Sequence, residues 1–292
     1  MSIFQGSAVA LITPFRNGAI DYHALERIIE LQIAAGTDAI VALGTTAEAS
    51  TLRDDEREEL TRFIVERVSN RLPVIVGTGG NNTEEVIERS RFAEAVGADG
   101  LLIVTPYYNK TTQDGLVAHY SAIAEQVRIP IIAYNVPSRT GLNLLPETFR
   151  KMMDANSNIV GVKEASGNIE QIVRLAALCP DCDLYSGNDD HVVPILSIGG
   201  KGVISTVANI IPEVVHLMCQ AFFEGDIAEA RRLQLAMLPI QQAAFCEVNP
   251  IPIKTMMGIL KLCDPEVRLP LIKPSLEHYE YMERVLRDAD ML

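Results

Sequence analysis

The sequence predicts an α/β fold, a (β/α)8 or TIM barrel followed by a C-terminal helical appendix. Eight short apolar runs recur about every thirty residues, and amphipathic stretches lie between most of them. Strands that alternate with helices in this way form parallel sheets, because each crossover helix returns the chain to the same edge. Eight such units close most simply into a barrel. We therefore expect a barrel over residues 1–224 and a helical domain over residues 225–292.

The predicted strands are continuously apolar, as expected when one face packs on the barrel core and the other lies under helices. In order they cover residues 8–12, 39–43, 74–77, 101–104, 131–134, 159–163, 184–186 and 203–205. Amphipathic helices are predicted between them, for example over residues 54–68, 83–96 and 115–127. Two helices end at Gly36 and Gly97, which can adopt the left-handed conformation before the next strand enters the core.

After the eighth strand the pattern changes to consecutive helices without strands between them. Helical periodicity covers residues 227–246, 253–262 and 276–289. The segment Asn249-Pro250-Ile251-Pro252 separates the first two helices, because proline cannot continue a helix. We expect this appendix to pack on the barrel and to supply contacts between subunits.

The composition is that of a soluble globular protein, with 48 % hydrophobic and 22 % charged residues. The net charge of −13 makes nucleic acids and anionic membrane surfaces poor partners, because no basic face would neutralise phosphates. No run approaches the roughly 20 apolar residues of a membrane helix, and residues 1–15 lack the features of a signal peptide. We therefore expect a cytoplasmic protein.

No metal ion or cofactor is expected from the sequence. The five histidines form no close pairs, so a histidine-based metal site has no support. The five cysteines suit reduced thiols. The segment Cys179-Pro180-Asp181-Cys182 has redox spacing, but it lies where a helix ends, whereas redox motifs open a helix. Similarly, Gly77-Thr78-Gly79-Gly80 lacks the lysine of a phosphate-binding loop and is better explained as a tight turn.

Lys163 ends the sixth predicted strand, where the chain leaves the apolar core. In low-dielectric surroundings the charged ammonium is disfavoured, so the pKa falls and a neutral amine becomes available near neutral pH. Such an amine can attack a carbonyl and form a Schiff base. The alternative is a lysine that extends its charged end into water from the strand end.

The barrel supplies a geometric rule that bears on this choice, because active sites of such barrels lie at the C-terminal ends of the strands. These ends collect polar residues at one mouth. They are Gly44-Thr45-Thr46 after strand two, Thr105-Pro106-Tyr107-Tyr108 after strand four, 134–140 after strand five, Lys163 after strand six, Gly187 after strand seven and Ile204 in strand eight.

These residue types suit lysine-based carbonyl chemistry. Imine formation moves protons onto the departing water, and the hydroxyl groups of Tyr134, Thr45 and one of the paired tyrosines could relay them. Thr46 and the backbone N–H groups of its turn could hold a carboxylate. Arg139 offers a planar fork for a second carboxylate. Taken singly, the threonines could be local caps, the tyrosines rim packing and Arg139 a surface ion pair.

Several motifs together resemble the 4-hydroxy-tetrahydrodipicolinate synthase (dihydrodipicolinate synthase) family, within the pyruvate-dependent class I aldolase-like, or N-acetylneuraminate lyase, superfamily. The resemblance extends over nearly the whole chain, and the segment Ser138-Arg139-Thr140-Gly141 indicates the dipicolinate branch. The matching motifs are Gly44-Thr45-Thr46-Ala47-Glu48, Tyr107-Tyr108-Asn109, 134–141, Val162-Lys163-Glu164-Ala165 and Asn249-Pro250-Ile251-Pro252.

The resemblance implies a TIM-barrel enzyme that condenses pyruvate with L-aspartate 4-semialdehyde to give 4-hydroxy-tetrahydrodipicolinate, without a cofactor. Lys163 would form the Schiff base, and Tyr134, Thr45 and Tyr108 the proton relay. Tyr108 would enter from the neighbouring subunit of a homotetramer, a dimer of dimers.

The resemblance also implies residues that bind the two substrates. Thr46 and Ile204 would bind pyruvate, and Arg139 the carboxylate of the semialdehyde. Gly187 is expected among the substrate-binding residues at the mouth.

Two departures from the family pattern bear on function. Ala47 stands where the family usually has glycine, which would cost about 1 kcal/mol if that position needs a positive φ. Lysine-sensitive relatives place a histidine at the position of Arg57, and the fixed charge of Arg57 would oppose a cationic lysine. The other residues matching their inhibitor site are Asn81, Glu85 and Tyr107. We expect weak or absent lysine inhibition.

Two alternatives remain at this stage. The first is a lyase that releases pyruvate from a sialic acid or a keto-deoxy sugar acid by the same lysine chemistry; it would need polar groups to recognise sugar hydroxyls, and Arg139 argues against it. The second is a catalytically silent relative that binds a small keto acid as a sensor or structural subunit. Only Ala47 motivates this second alternative.

Overall fold

The computed structural model describes residues 2–292 and contains eight parallel strands closed into a barrel. The strands follow one another around the barrel in chain order, and the first pairs with both the second and the last. All eight predicted strands and the predicted barrel are confirmed. The strands are β1 Gly6–Ala10, β2 Ala39–Ala42, β3 Val74–Gly77, β4 Gly100–Val104, β5 Ile131–Asn135, β6 Ile159–Glu164, β7 Asp183–Ser186 and β8 Gly202–Ser205.

Helices connect the strands and pack around the barrel. Those of at least five residues are α1 Tyr22–Ala34, α2 Asp54–Val68, α3 Thr83–Ala95, α4 Gln113–Ala124, α5 Pro146–Ala155, α6 Ile169–Leu178, α7 Val192–Leu196 and α8 Pro212–Phe223. A single helical turn, Pro137–Thr140, follows β5 and carries Arg139. Helix α4 begins two residues before the predicted start, because the side chain of Thr112 caps it by accepting a hydrogen bond from Gly115 N at 3.1 Å. A short hairpin of Phe15–Arg16 and Ala19–Ile20 was not predicted.

The appendix consists of four helices rather than the predicted three. They are α9 Ile227–Ala236, α10 Leu238–Ala244, α11 Ile251–Ile259 and α12 Leu276–Asp288. The prediction of one helix over residues 227–246 is wrong, because Pro239 lies in the first turn of α10 and would clash with the carbonyls of a continuous helix. Helix α9 packs along α8, which joins the appendix to the barrel. The division into two domains near residue 224 stays a prediction.

No helix in the described part of the chain is long and apolar enough to cross a membrane.

The apolar core has two layers that follow the alternation of side chains along each strand. One layer fills the barrel interior, with Val41, Ile75, Leu102 and Ile132 among its members. The other lies between the strands and the surrounding helices. At the N-terminal end of the barrel the ring of Phe4 stacks on Tyr185, with centroids 4.3 Å apart. These stacked rings close the N-terminal end of the barrel, so a ligand site is expected at the C-terminal end.

Glycines allow the backbone segments below the mouth to approach closely. A Cβ on Gly77 would lie 2.3 Å from the carbonyl oxygen of Leu43, and one on Gly79 would lie 2.4 Å from Val104 N. The Gly77-Thr78-Gly79-Gly80 segment therefore serves close packing between strands and turns. Gly36 and Gly97 have φ of 81° and 93°, which confirms the predicted left-handed helix ends.

Candidate active site

The parallel register of β5 and β6 brings Tyr134 and Lys163 together at the mouth of the barrel. Tyr134 lies beside Lys163, and Asn135 beside Glu164, in adjacent strands. Because successive side chains point to opposite faces, Tyr134 and Lys163 share the inner face. The Nζ atom of Lys163 lies 4.6 Å from the centroid of the Tyr134 ring.

Asn135 and Glu164, which follow Tyr134 and Lys163 in the sequence, fix the ends of β5 and β6 on the outer face of the barrel. Glu164 is buried, and its carboxylate accepts hydrogen bonds from Asn135 Nδ2 at 3.0 Å and from Ser166 N at 2.7 Å. Asn135 is also buried and accepts a hydrogen bond from Leu144 N at 2.9 Å. These bonds satisfy the buried polar groups and hold both strand ends in register.

A cavity of about 210 Å³ opens above Lys163. Six of the residues singled out from the sequence line it together: Thr45, Thr46, Tyr134, Arg139, Lys163 and Gly187. The strand-end rule therefore located one common pocket.

Burial changes the protonation behaviour of the two central groups. It lowers the pKa of Lys163 to about 8; the Asp189 carboxylate opposes this shift and the Arg139 charge adds to it. Burial also raises the pKa of Tyr134, against the opposing effects of Arg139 and a hydrogen bond to the Thr45 side chain. The pocket therefore combines an amine that is partly neutral at physiological pH with a phenol that keeps its proton.

The turn after β2 carries Thr45 and Thr46 in a single 3-10 turn, Thr45–Ala47. Leu43 and Glu48, on either side, have φ of 55° and 54°. Each left-handed non-glycine residue costs on the order of 1 kcal/mol, so surrounding contacts must hold this turn. Ala47 is not among the residues with positive φ, and its carbonyl accepts a hydrogen bond from Thr13 Oγ1 at 2.8 Å. The turn accommodates Ala47, and the left-handed backbone conformations lie at Leu43 and Glu48 instead.

Asn249 is a site residue that the sequence reasoning missed. Its side-chain Nδ2 donates to Thr46 Oγ1 at 3.0 Å, and its carbonyl accepts a hydrogen bond from Arg139 Nη2 at 3.3 Å. It belongs to the appendix, where the strand-end rule does not apply. The signal that could have found it was the matched motif Asn249-Pro250-Ile251-Pro252. Asn188, Thr206 and Phe245 also line the cavity and were not predicted, whereas Ser138 belongs to the predicted segment after strand five.

Two residues expected at the site do not line this cavity. Tyr108 is 90 % exposed on the surface of its own chain. Ile204 lies in the apolar layer inside the barrel, together with Tyr134 and Tyr185, whereas Thr206 reaches the lining. Their roles in catalysis and in substrate binding stay predictions.

The four residues matched to an inhibitor site are spread over several surface cavities. Tyr107 and Arg57 line a cavity of about 260 Å³ that also contains Thr45 and Tyr134. Glu85 lines a neighbouring cavity with Arg57, and Asn81 lines a third. The guanidinium of Arg57 donates to the carbonyl oxygens of Ala49 and Leu52, which fixes its position.

Among residues 2–292, no three or more His, Cys, Asp or Glu side chains are grouped so that they could hold a metal ion. The polar groups that line the cavity are the amine of Lys163, the guanidinium of Arg139, several hydroxyl groups and the side-chain amides of Asn188 and Asn249.

Known proteins resemble this chain in sequence and in overall fold. The model of the dihydrodipicolinate synthetase family matches residues 3–289. The 4-hydroxy-tetrahydrodipicolinate synthase 1 of Clostridium acetobutylicum is 55% identical over 272 residues, which are 93% of this chain and 92% of that protein. The dihydrodipicolinate synthase of Aquifex aeolicus has a TM-score of 0.97 at 42% identity, covering 99% of each chain. The enzyme of Cyanidioschyzon merolae, solved with lysine bound, has a TM-score of 0.95 at 37% identity and covers 100% of both chains.

The substitution Gly187→Ala tests the packing around Lys163. A Cβ at this position would lie 2.6 Å from Ala165 Cβ and 3.2 Å from Lys163 Cε. We expect overpacking to lower the free energy of unfolding by about 1–3 kcal/mol, measured by urea denaturation. Gly44→Ala is the matched control, because nothing lies within 4 Å of its Cβ. Equal losses in the two variants would contradict the described packing.

Proposed function

Because the chain belongs to the dihydrodipicolinate synthetase family, we propose that it is a 4-hydroxy-tetrahydrodipicolinate synthase. It condenses pyruvate with L-aspartate 4-semialdehyde in diaminopimelate and lysine biosynthesis. The observation that carries the proposal is the buried Lys163 amine, whose pKa is lowered to about 8, beside Tyr134 in the pocket at the strand ends.

The first chemical step in this proposal is imine formation at Lys163. The neutral amine attacks the keto carbon of pyruvate, a C–N bond forms, and the carbonyl oxygen takes up protons and leaves as water. Tyr134 keeps its phenolic proton because burial raises its pKa, so it can donate that proton. Thr45, hydrogen-bonded to Tyr134, would pass protons along the relay.

The second step joins the two substrates. Loss of a methyl proton converts the imine to an enamine, whose carbon attacks the aldehyde of the semialdehyde and forms the C–C bond. The amino group of that substrate then attacks the imine carbon, displaces Lys163 and closes the ring. The chemistry uses no redox step, so it needs neither an oxidant nor a reductant.

The carboxylates of the substrates would bind at two places in the pocket. Thr46 and the N–H groups of its turn would take the carboxylate of pyruvate. Arg139 would take that of the semialdehyde, and its hydrogen bond to the Asn249 carbonyl keeps it at the rim. Gly187 and Ile204 would complete the binding surface.

The two alternative functions gain no support. The matched relatives are named as synthases, which does not favour a sugar-acid lyase. The silent relative was motivated only by Ala47, and the turn accommodates this residue without a positive φ.

The quaternary structure and the cellular location are further proposals. A homotetramer would let Tyr108 of one subunit complete the relay of another, and its 90 % exposure outside the pocket of its own chain supports this arrangement. The cytoplasmic location expected from the sequence stays a prediction.

Product formation from pyruvate and L-aspartate 4-semialdehyde tests the proposed function. We expect turnover with this pair and none with sialic or keto-deoxy sugar acids.

Arg139→Gln should raise the KM for the semialdehyde about tenfold or more, because a charge-assisted hydrogen bond contributes about 1.5–3 kcal/mol. Lys151→Gln, on the exposed surface, is the matched control. Turnover of sugar acids instead of the semialdehyde would contradict the proposal.

Subunit mixing tests whether Tyr108 acts across an interface. Tyr108→Phe should slow turnover strongly and leave the fold intact, and Lys163→Ala should abolish turnover. When the two variants are mixed and allowed to exchange subunits, activity should return, because some pockets combine an intact Lys163 with an intact Tyr108. Inactive mixtures that have exchanged subunits would place Tyr108 in its own pocket or outside the relay.

Lysine titration of the steady-state rate tests the effect of Arg57. We expect weak or absent inhibition in the wild type, since the guanidinium of Arg57 is held in place and repels a cationic ligand. Arg57→His should increase sensitivity to lysine, and Arg53→His, on the exposed side of the same segment, should not. A micromolar inhibition constant for the wild type would overturn this expectation.

A further inference from the structure

A buried ion pair lies behind the turn that carries Thr45 and Thr46. Lys254 Nζ, in helix α11, donates to Glu48 Oε1 at 2.6 Å, and the two side chains are 0% and 1% exposed. The other carboxylate oxygen, Glu48 Oε2, accepts a hydrogen bond from Arg268 N at 2.9 Å. Both oxygens of Glu48 are therefore bound by the appendix.

The pair belongs to a larger cluster centred on Phe15, in the hairpin after β1. Lys254 Nζ and Arg268 Cζ lie 4.2 Å and 4.3 Å from the centroid of the Phe15 ring, so both cations contact its π system. Arg268 also donates to both carboxylate oxygens of Glu56, a residue of helix α2, at 2.7 Å each. The charges of Glu48 and Glu56 are thus neutralised by those of Lys254 and Arg268. These four residues lie in four different segments of the chain.

The cluster acts on the turn through the backbone of Glu48. This residue has φ of 54°, and its N–H donates to the carbonyl of Thr45 at 3.0 Å, which closes the turn. Neither Glu48 nor Lys254 lines the cavity above Lys163. The pair is buried outside this cavity, and its contact with the turn is through Glu48.

Stability alone does not account for the pair. Two buried charges lose hydration, and replacing such a pair with apolar groups of similar volume often leaves stability unchanged or increases it. An apolar pair would not reproduce the two directional hydrogen bonds to the carboxylate of Glu48, the left-handed residue that follows the turn. This difference points to a role in positioning.

We propose that Glu48 and Lys254 are positioning residues that hold the Thr45–Thr46 turn in the geometry that receives the carboxylate of pyruvate. The inference rests on the proposed function and deepens it. It makes the helical appendix part of the pyruvate site, through contacts between residues that are 206 positions apart in the sequence.

The experiment measures pyruvate binding without the second substrate. Borohydride reduces the imine at Lys163, and intact-protein mass gives the labelled fraction as a function of pyruvate concentration. The double variant Glu48→Gln/Lys254→Met removes both charges, so no unpaired charge stays buried. We expect thermal stability close to that of the wild type, with the half-saturating pyruvate concentration raised about tenfold.

The control is Asp38→Asn/His216→Gln, which removes a half-buried pair at the other end of the barrel, with a separation of 3.0 Å. Its half-saturating pyruvate concentration should not change. Glu48→Asp keeps the charge but cannot reach both Lys254 Nζ and Arg268 N, so we expect a smaller rise. This variant keeps the test decisive if the double variant does not fold.

The outcomes separate this inference from the function on which it rests. A wild-type protein that pyruvate and borohydride do not label would overturn the proposed function. A labelled wild type, together with folded Glu48 variants that bind pyruvate as tightly, would overturn the positioning role alone.

Discussion

The proposed chemistry depends on the burial of one amine, that of Lys163 at the end of β6. Removal of the amine from water lowers its pKa to about 8. At pH 7 about a tenth of the molecules then hold a neutral amine, compared with fewer than about one in a thousand at the usual lysine pKa of about 10.4. This difference supports the proposed role of Lys163 as the nucleophile. The barrel provides the burial, and the strand register provides the neighbours.

The neighbouring residues are fixed from outside the pocket. The Glu164–Asn135 hydrogen bond holds the ends of β5 and β6 on the outer face, while Tyr134 and Lys163 face inward. On the opposite side, the turn with Thr45 and Thr46 depends on the appendix. Asn249 binds the Thr46 hydroxyl, and Lys254 binds the carboxylate of Glu48. The helical appendix thus has a part in shaping the site, besides covering the barrel.

The sequence was sufficient for the parts of the structure that follow local rules. Apolar runs at a regular spacing predicted all eight strands, and the strand-end rule placed Lys163, Tyr134 and Thr45 in one pocket. The contacts of Asn249 and Lys254 could not be predicted, because they join positions 203 and 206 residues apart and leave no periodic pattern. The effect of Ala47 was equally hidden, since it depends on which residue of the turn adopts the left-handed conformation.

The pH dependence of the reactivity of Lys163 tests the central claim most directly. The rate of its modification by a neutral acylating reagent can be followed by peptide mass spectrometry, and it is proportional to the neutral fraction of the amine. We predict that the rate rises with pH and levels off above a midpoint near pH 8. Arg139→Gln should move this midpoint to higher pH, because the Arg139 charge lowers the pKa of Lys163. A rate that still rises steeply at pH 10 would show an ordinary charged lysine and contradict the account.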